Sequence, residues 1–590
     1  MLRDCLFLGL IIASCCQIAH SQSIFQTRNS IHQADPLQEE FALVGPSFFA
    51  RDITITTPPE DDVRPMAEWE EIEAITITWA DYPETLSAIV HHAKHECKVY
   101  INCVSAEKVK EDLNLYQATY NENVIFLENQ DFNSVWIRDY GPNSAYLNDV
   151  DSLIFVDWVY NRAQRPDDDI LPEDFANQLE IPLFQTTEGD FQLTATGGNF
   201  MSDGISTGFS SRLVVYENLD KTELEIDEVM HDFLGIDNYV KFDTLLYDGI
   251  HHIDMHMKML DEERFIFGQF PEGKGDYDII EANIEYLLST QLNAFGEPYE
   301  IIRIPMPPNF DESYAGDLEG ERSFRTYTNA LFINKTILVP TYEEEHDVEA
   351  LKIWSEAMPG FNIVGIRCNE MIAAFSAIHC VTKEIGVKDP LRIVLQRLKD
   401  QDAPKPEGYT LEAKVQHRSG ILGVNLFYRS EGDQLYQRLK MELIDAKTNM
   451  YSATIPDFVE DGEIEYYVQG IANNGKVINR PQPAPEANYS FEIRNATTTS
   501  TTQLIDVFPR AAFPNPSAGL VCIPIELSES VVGDLSLLDI HGKLVHRVFE
   551  GRFETGLTKQ FIDVANLPSG MYTLKLTNQA GVYTQKLIVE

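Results

Sequence analysis

Four side chains with complementary chemistry stand in three separated motifs of this sequence. Cys380 lies in Phe375-Ser-Ala-Ile-His-Cys-Val-Thr382, His252 and Asp254 in His252-Ile-Asp254, and Asp139 in Trp136-Ile-Arg-Asp-Tyr-Gly-Pro142. A cysteine in an apolar, β-prone run is usually packing filler, and an aspartate beside Gly-Pro is usually a turn residue. A thiol, an imidazole and two carboxylates together are the set needed to hydrolyse a guanidinium. Two carboxylates can grip the flat cation in fork geometry, and a thiolate can attack its central carbon. A free thiol has a pKa of about 8.5, so an imidazolium or the bound cation must favour ionisation. One charge pair at ~4 Å and an effective dielectric of ~20 supplies about 4 kcal/mol. His252 would protonate departing ammonia and then activate water against the S-alkylthiouronium intermediate. This route needs no metal or cofactor.

These groups must be carried to one place by the elements around them. Strand and helix signals alternate from about Arg64 to Asp400, which reads as α/β. Asp139, Asn199, His252, Asn329 and Cys380 follow one another at separations of 60, 53, 77 and 51 residues. Each interval can hold one small βαβ-like unit, and five units around an axis would each bring one polar end to the centre. His252 and Asp254, at i and i+2 of a strand, would face one cavity. His379 would then point to the opposite face from Cys380, as a packed or hydrogen-bonded core histidine. A rival reading is a metal site built from His251 or His252, Asp254 and His256 on one strand.

At 590 residues, the chain is long enough for several domains. Its net charge of −48, from 45 basic and 93 acidic residues, argues against nucleic acid and is compatible with a cationic substrate. Neither a Walker loop nor a Gly-x-Gly-x-x-Gly is present. Residues 1–21 read as an export signal, with Ile12-Ala-Ser-Cys15 as an alternative lipoprotein site, and no later segment reads as transmembrane. Five cysteines lie beyond that signal, an odd and sparse set that is no disulfide framework; Cys97 and Cys103 flank one expected strand, and Cys380 is expected to be free. Residues 22–55 form a lead-in and 56–402 the α/β domain. Alternation at Val424, Leu426 and Tyr428, again at Ile464, Tyr466 and Val468, and an Asn474-Gly475 turn predict an immunoglobulin-like or fibronectin-like sandwich over 403–495. A Thr-rich linker (496–507) leads to a second all-β unit over 508–590.

Arg64-Pro-Met-Ala-Glu-Trp69, the Asp139 motif, Thr196-Gly-Gly-Asn-Phe200, His252-Ile-Asp254, Arg325-Thr-Tyr-Thr-Asn329 and Ala377-Ile-His-Cys380 together resemble the bacterial peptidylarginine deiminase and agmatine deiminase family. The resemblance implies a five-bladed α/β propeller (the pentein fold), with Cys380 as nucleophile and His252 as general acid/base. It further implies Asp139 and Asp254 as the guanidinium-binding carboxylates, Trp136 along the substrate stem and Asn329 on the substrate side. Tyr160-Asn-Arg-Ala-Gln-Arg-Pro166 is similar to a segment whose arginines bind a substrate carboxylate in the peptidylarginine branch. Arg162 fits that place, and Arg165 falls one residue late. Agmatine has no carboxylate, so peptidyl or free arginine is the expected substrate and agmatine the alternative, with a catalytically silent adhesin as a non-enzymatic one. Phe513-Pro-Asn-Pro-Ser517, Leu567-Pro-Ser-Gly-Met-Tyr572 and Lys586-Leu-Ile-Val-Glu590 resemble the type A sorting domain of the type IX secretion pathway, which implies that machinery as a partner and an extracellular or outer-surface destination.

Overall fold

In a computed structural model of the chain, the structure describes residues 55–128, 131–317, 324–457, 462–494 and most of 512–589. The expected export signal, nearly all of the lead-in and the Thr-rich linker lie outside the described residues.

Five separate open sheets occupy residues 63–386. All five share one plan: an antiparallel pair, then a helix, then a strand parallel to the second member of the pair. Asn143–Leu147 pairs with Ser152–Tyr160, and helix Pro166–Leu179 returns the chain to Leu183–Thr186. Met201–Ser202, Thr207–Ser211, helix Glu223–Leu234 and Asn238–Phe242 repeat the plan. So do Met257–Met259, Arg264–Gln269, helix Tyr277–Thr290 and Glu300–Pro305. The fourth copy is Leu331–Ile333, Thr336–Thr341, helix Glu344–Ala357 and Asn362–Arg367. In the fifth the order is split: Lys383–Gly386, late in the chain, pairs with the early strand Ile72–Thr78, which runs through helix Pro83–Ala93 to Lys98–Cys103 and on to Val124–Glu128. The last sheet therefore ties the two ends of this region together.

The local sequence accounts for these elements. Helix Glu223–Leu234 opens on a capping box in which Thr222 Oγ1 accepts from the Glu225 amide at 3.3 Å and Glu225 Oε2 from the Thr222 amide at 2.7 Å. It buries Ile226, Val229, Met230 and Phe233 at helical spacing and ends at Gly235, whose φ of 67° suits a left-handed cap. Strand Ile72–Thr78 buries Ala74, Ile75 and Ile77 on both faces, as a central strand between helices should.

Two expected strands are absent. His252-Ile-Asp254 enters a 3₁₀ turn over Ile253–Met255, and the run around Cys380 holds 3₁₀ turns at Ile372–Ala374 and His379–Val381. Side chains claim the backbone there. Asp248 accepts from the amides of Ile250 (3.2 Å) and His252 (2.9 Å), and Asn329 Oδ1 accepts from the His379 amide at 2.9 Å. His251 and Phe375, non-glycine residues with φ of 60° and 56°, set the entry to each turn.

Beyond this region the chain is all-β. Arg392–Leu395 pairs with Tyr409–Gln416 in a four-stranded sheet that faces a five-stranded one, and Gly475 (φ 91°) turns the chain between strands Gly462–Ala472 and Val477–Arg480. Residues 520–589 form a two-stranded and a four-stranded antiparallel sheet around Val521, Ile523, Leu535, Leu574 and Leu587. Backbone packing divides the chain into two units, one holding most of residues 1–491 and one holding 492–590 with two short segments. Cys97, Cys103, Cys368, Cys380 and Cys522 are all free and buried.

Arg138 is the main polar tie between the Asp139 and Cys380 segments. Its guanidinium meets Glu384 through both ends at 3.0 and 2.6 Å and donates from Nε to the His379 carbonyl at 3.2 Å. Burial raises the Glu384 carboxyl, but Arg138 overrides it and holds the group down at about 2. Replacing Glu384 with Ala would leave a buried guanidinium unpaired, so we expect a loss of roughly 3–5 kcal/mol in denaturant unfolding.

Candidate active site

The five polar motifs stand at equivalent places, each just ahead of the first strand of its sheet. Asp139 is in the short helix Ile137–Tyr140 before Asn143–Leu147, and Gly198 and Asn199 are in the turn Gly197–Asn199 before Met201–Ser202. His252 and Asp254 precede Met257–Met259, Asn329 precedes Leu331–Ile333, and Cys380 precedes Lys383–Gly386. Asp139, His252, Asn329 and Cys380 are carried on or beside such turns rather than on strand faces, whereas Asn199 turns away to bond the Ser211 backbone through both side-chain atoms, leaving Thr196 and Gly198 as that motif's contribution.

The side chains converge. Cys380 Sγ lies 3.3 Å from Asn329 Nδ2 and 3.9 Å from Asp254 Oδ2. His252 Nδ1 is 3.6 Å from Asp139 Oδ1, and its Nε2 is 3.1 Å from Thr196 Oγ1. The Gly198 amide donates to Asp139 Oδ1 at 3.3 Å. A methyl carbon placed on Gly198 would sit 2.5 Å from His252 Nδ1, 3.0 Å from Asp139 Oδ1 and 3.3 Å from Asp254 Oδ2. One point beside the Gly198 backbone is thus faced by the imidazole and both carboxylates. His252 Nδ1 and Asp254 Oδ1 are buried and have no hydrogen-bond partner among the described residues, which is unusual enough to mark them for a ligand.

Burial pushes the Cys380 thiol well up, and Asp254 and Asp139 push it further; Ser376 and the Ala377 backbone pull it back only in part. The empty site therefore keeps the thiol protonated. A cation lying between the two carboxylates would cancel their effect at the sulfur.

Trp136 is buried and packs at 5.7 Å, tilted, against Tyr82. Asp167, Asp168 and Asp169 are turned inward. Asp168 takes the Asn133 and Ser134 amides at 2.7 and 3.1 Å and the Ser134 hydroxyl at 2.6 Å, while Asp169 takes the Tyr160 amide at 2.6 Å. These acids hold the Asp139 motif and the Tyr160 segment rather than offsetting surface arginines. Arg165 is buried and donates to the Tyr160 hydroxyl at 3.0 Å. Arg162 is half-buried, and its guanidinium has no hydrogen-bond or ion-pair partner among the described residues.

The rival metal set does not assemble. Among the described residues, the acid and histidine group whose ligand atoms lie within 4.8 Å of one another is Glu68, His379 and Glu384, which Lys258 and Arg138 already engage. Burial pushes His256 down to about 4, so it is neutral, and the 3₁₀ turn replaces the strand face that would have aligned it with His252.

Sequence reasoning passed over Thr196, Gly198, Asp248 and Glu217. The Thr-Gly-Gly-Asn motif was the available signal for the first two, because paired glycines mark close backbone approach. Nothing local marks Glu217. It accepts from Asn161 Nδ2, and burial, helped by Asp139 and opposed by Asn161 and Arg162, pushes it up to about 7.

Gly198→Ala should leave folding nearly intact and lower kcat/KM by about 10²-fold or more, since its methyl displaces the imidazole; assay and thermal melt separate the two effects. For Glu217, whose folded value is raised, the stabilising contribution is complete below the ordinary carboxyl range and disappears as pH rises through about 7. Denaturant midpoints across pH 4–9 should show that decline in the parent and lose it in Glu217→Gln.

Residues 64–385, more than half of the chain, match the family model of the Porphyromonas-type peptidyl-arginine deiminases, and residues 511–590 match that of a secretion-system C-terminal sorting domain. A provisionally assigned agmatine deiminase of Vibrio parahaemolyticus is 22% identical over 368 residues, spanning 56% of this chain and 98% of the relative. The X-ray structure of another provisionally assigned agmatine deiminase has a TM-score of 0.50 at 20% identity, covering 57% of this chain and 100% of that one. The agmatine deiminase of Enterococcus faecalis has a TM-score of 0.49 at 18% identity, with the same coverage. No helix among the described residues is long and apolar enough to cross a membrane. The chain belongs to the Porphyromonas-type peptidyl-arginine deiminase family and is a hydrolase acting on linear amidines.

Proposed function

We propose that this deiminase is exported and converts peptidyl or free arginine into citrulline and ammonia. The reading rests on the point beside Gly198, faced by His252 Nδ1, Asp139 Oδ1 and Asp254 Oδ2 within 3.3 Å, with Cys380 3.9 Å from Asp254. A guanidinium bound in front of the Gly198 backbone would meet both carboxylates. Its charge offsets the two acids that hold the thiol protonated, so substrate binding itself favours the thiolate. Sulfur then attacks the central carbon, His252 supplies a proton to the departing ammonia, and a water deprotonated by His252 displaces the sulfur. Trp136 flanks the aliphatic stem, and Asn329 holds the sulfur. The five repeated sheets are read as blades of a propeller around this point.

Arg162, half-buried beside Glu217 and without a hydrogen bond to its guanidinium among the described residues, favours a substrate that carries a carboxylate; Arg165 supports the same segment through Tyr160. Agmatine, the substrate in the names of several relatives, is the second reading. The sorting-domain match supports passage through the type IX machinery to the cell surface or medium.

Assays of citrulline and ammonia on arginine-terminated peptides, free arginine and agmatine test this directly. We expect the peptide to give the largest kcat/KM, and N-carbamoylputrescine as the main product would overturn the assignment. Arg162→Ala should raise KM for the peptide by about 10-fold and leave agmatine turnover unchanged. Asp139→Asn should abolish turnover yet speed iodoacetamide alkylation of Cys380 in the free enzyme at neutral pH, by roughly tenfold for each pKa unit recovered.

A further inference from the structure

His379 is absent from the chemistry above, yet it has the most demanding hydrogen-bonding position near the site. Its Nδ1 lies 2.8 Å from Asp254 Oδ2 and its Nε2 lies 3.1 Å from Glu68 Oε2, and the ring is fully buried. A neutral imidazole offers one N–H and one lone pair, so one nitrogen would face a carboxylate oxygen lone pair to lone pair. Glu68 is held ionised: burial raises it, but His379, Lys258 and Arg138 together bring it well below the usual carboxylate range. Lys258, fully buried, closes the chain by pairing with the same Oε2 of Glu68.

The chain of contacts runs from the substrate cradle into the core. Asp254 Oδ2 faces the point beside Gly198 and accepts from His379, while Oδ1 is buried with no hydrogen-bond partner among the described residues. The three-residue turn that carries His379 also carries Cys380, and its amide is held by Asn329 Oδ1. The groups facing the ring are therefore Asp254 from the turn Ile253–Met255, Glu68 from the segment after Val63–Pro65, and Lys258 and Arg138 behind Glu68.

We propose that His379 is the positioning residue for Asp254, fixing its carboxylate plane for the guanidinium through a buried Asp254–His379–Glu68–Lys258 chain. The inference rests on the reading of Asp254 as a guanidinium grip. It assigns a function to a histidine whose neighbour is the nucleophile, without making it an acid or a base. Losing the strut would free Asp254 to rotate, and the effect would fall on substrate binding more than on the covalent step.

The test compares His379→Leu, His379→Asn, Glu68→Gln and Asp254→Asn in the full chain, with an arginine-terminated peptide as substrate. We expect His379→Leu to raise KM by roughly 10–100-fold with a smaller change in kcat. His379→Asn, which keeps one N–H donor toward Asp254, should recover part of the KM, and Glu68→Gln should raise it by less. A parent-like KM in His379→Leu, or no recovery by Asn, overturns the proposal. If the His379 variants do not unfold cooperatively, Glu68→Gln decides: a parent-like KM there overturns it. Asp254→Asn separates the two readings. If it too has a parent-like KM, the grip itself is wrong; if its KM rises while that of the His379 and Glu68 variants does not, only the strut is.

Discussion

Two carboxylates are held close to a thiol in a site that water barely reaches, and the rest of the deiminase region is organised around that opposition. Like charges in a low-dielectric pocket repel, and each discourages ionisation of the sulfur beside them. The arrangement persists because partners lie behind it: Arg138 on Glu384, Lys258 on Glu68, and the His379 ring bridging Glu68 and Asp254. In the proposed mechanism the compensating positive charge comes from the substrate.

Buried ion pairs of this type add little net stability compared with well-packed apolar side chains, because desolvation offsets most of the attraction. Their value here is directional. Arg138 joins the Asp139 helix to the Cys380 turn and the strand after it through the His379 carbonyl and Glu384. Lys383 joins the same turn to Asn143 at 2.8 Å. Segments more than 200 residues apart are thereby held in register by bonds that tolerate few angles. Short 3₁₀ turns, rather than strands, carry His379, Cys380 and Asp254. In these turns the residues at i and i+1 point in different directions, so His379 and Cys380 both reach the site instead of opposite faces of a sheet.

The segment around Tyr160 is built by a different means. At the start of helix Pro166–Leu179, Asp168 and Asp169 take the backbone amides of Asn133, Ser134 and Tyr160, and Asp167 takes the Asn133 side-chain amide. This helix N-terminus and its acids complement each other electrostatically. Arg165 is taken up inside that assembly, and Arg162 is left over. The same few residues thus bury Arg165 and leave Arg162 half-buried beside Glu217.

Much of this was legible in the residue order. The alternation of elements, the spacing of polar motifs, the all-β tail and the identity of the reactive groups follow from side-chain chemistry and periodicity, which are properties of neighbouring residues. The strand assignments for His252-Ile-Asp254 and for the Cys380 run failed because periodicity cannot see a distant side chain. Asp248 and Asn329 capture the amides that a strand would have paired. Gly198 as the cradle wall, Glu217 beside Arg162 and His379 between two acids are contacts across 54 to 311 residues of sequence, and no local pattern encodes them. The sequence by itself determined which groups were available and roughly where each unit begins. Only the tertiary structure decided which atoms meet, because that depends on five sheets packing at once and on buried charges finding the partners that let them stay buried.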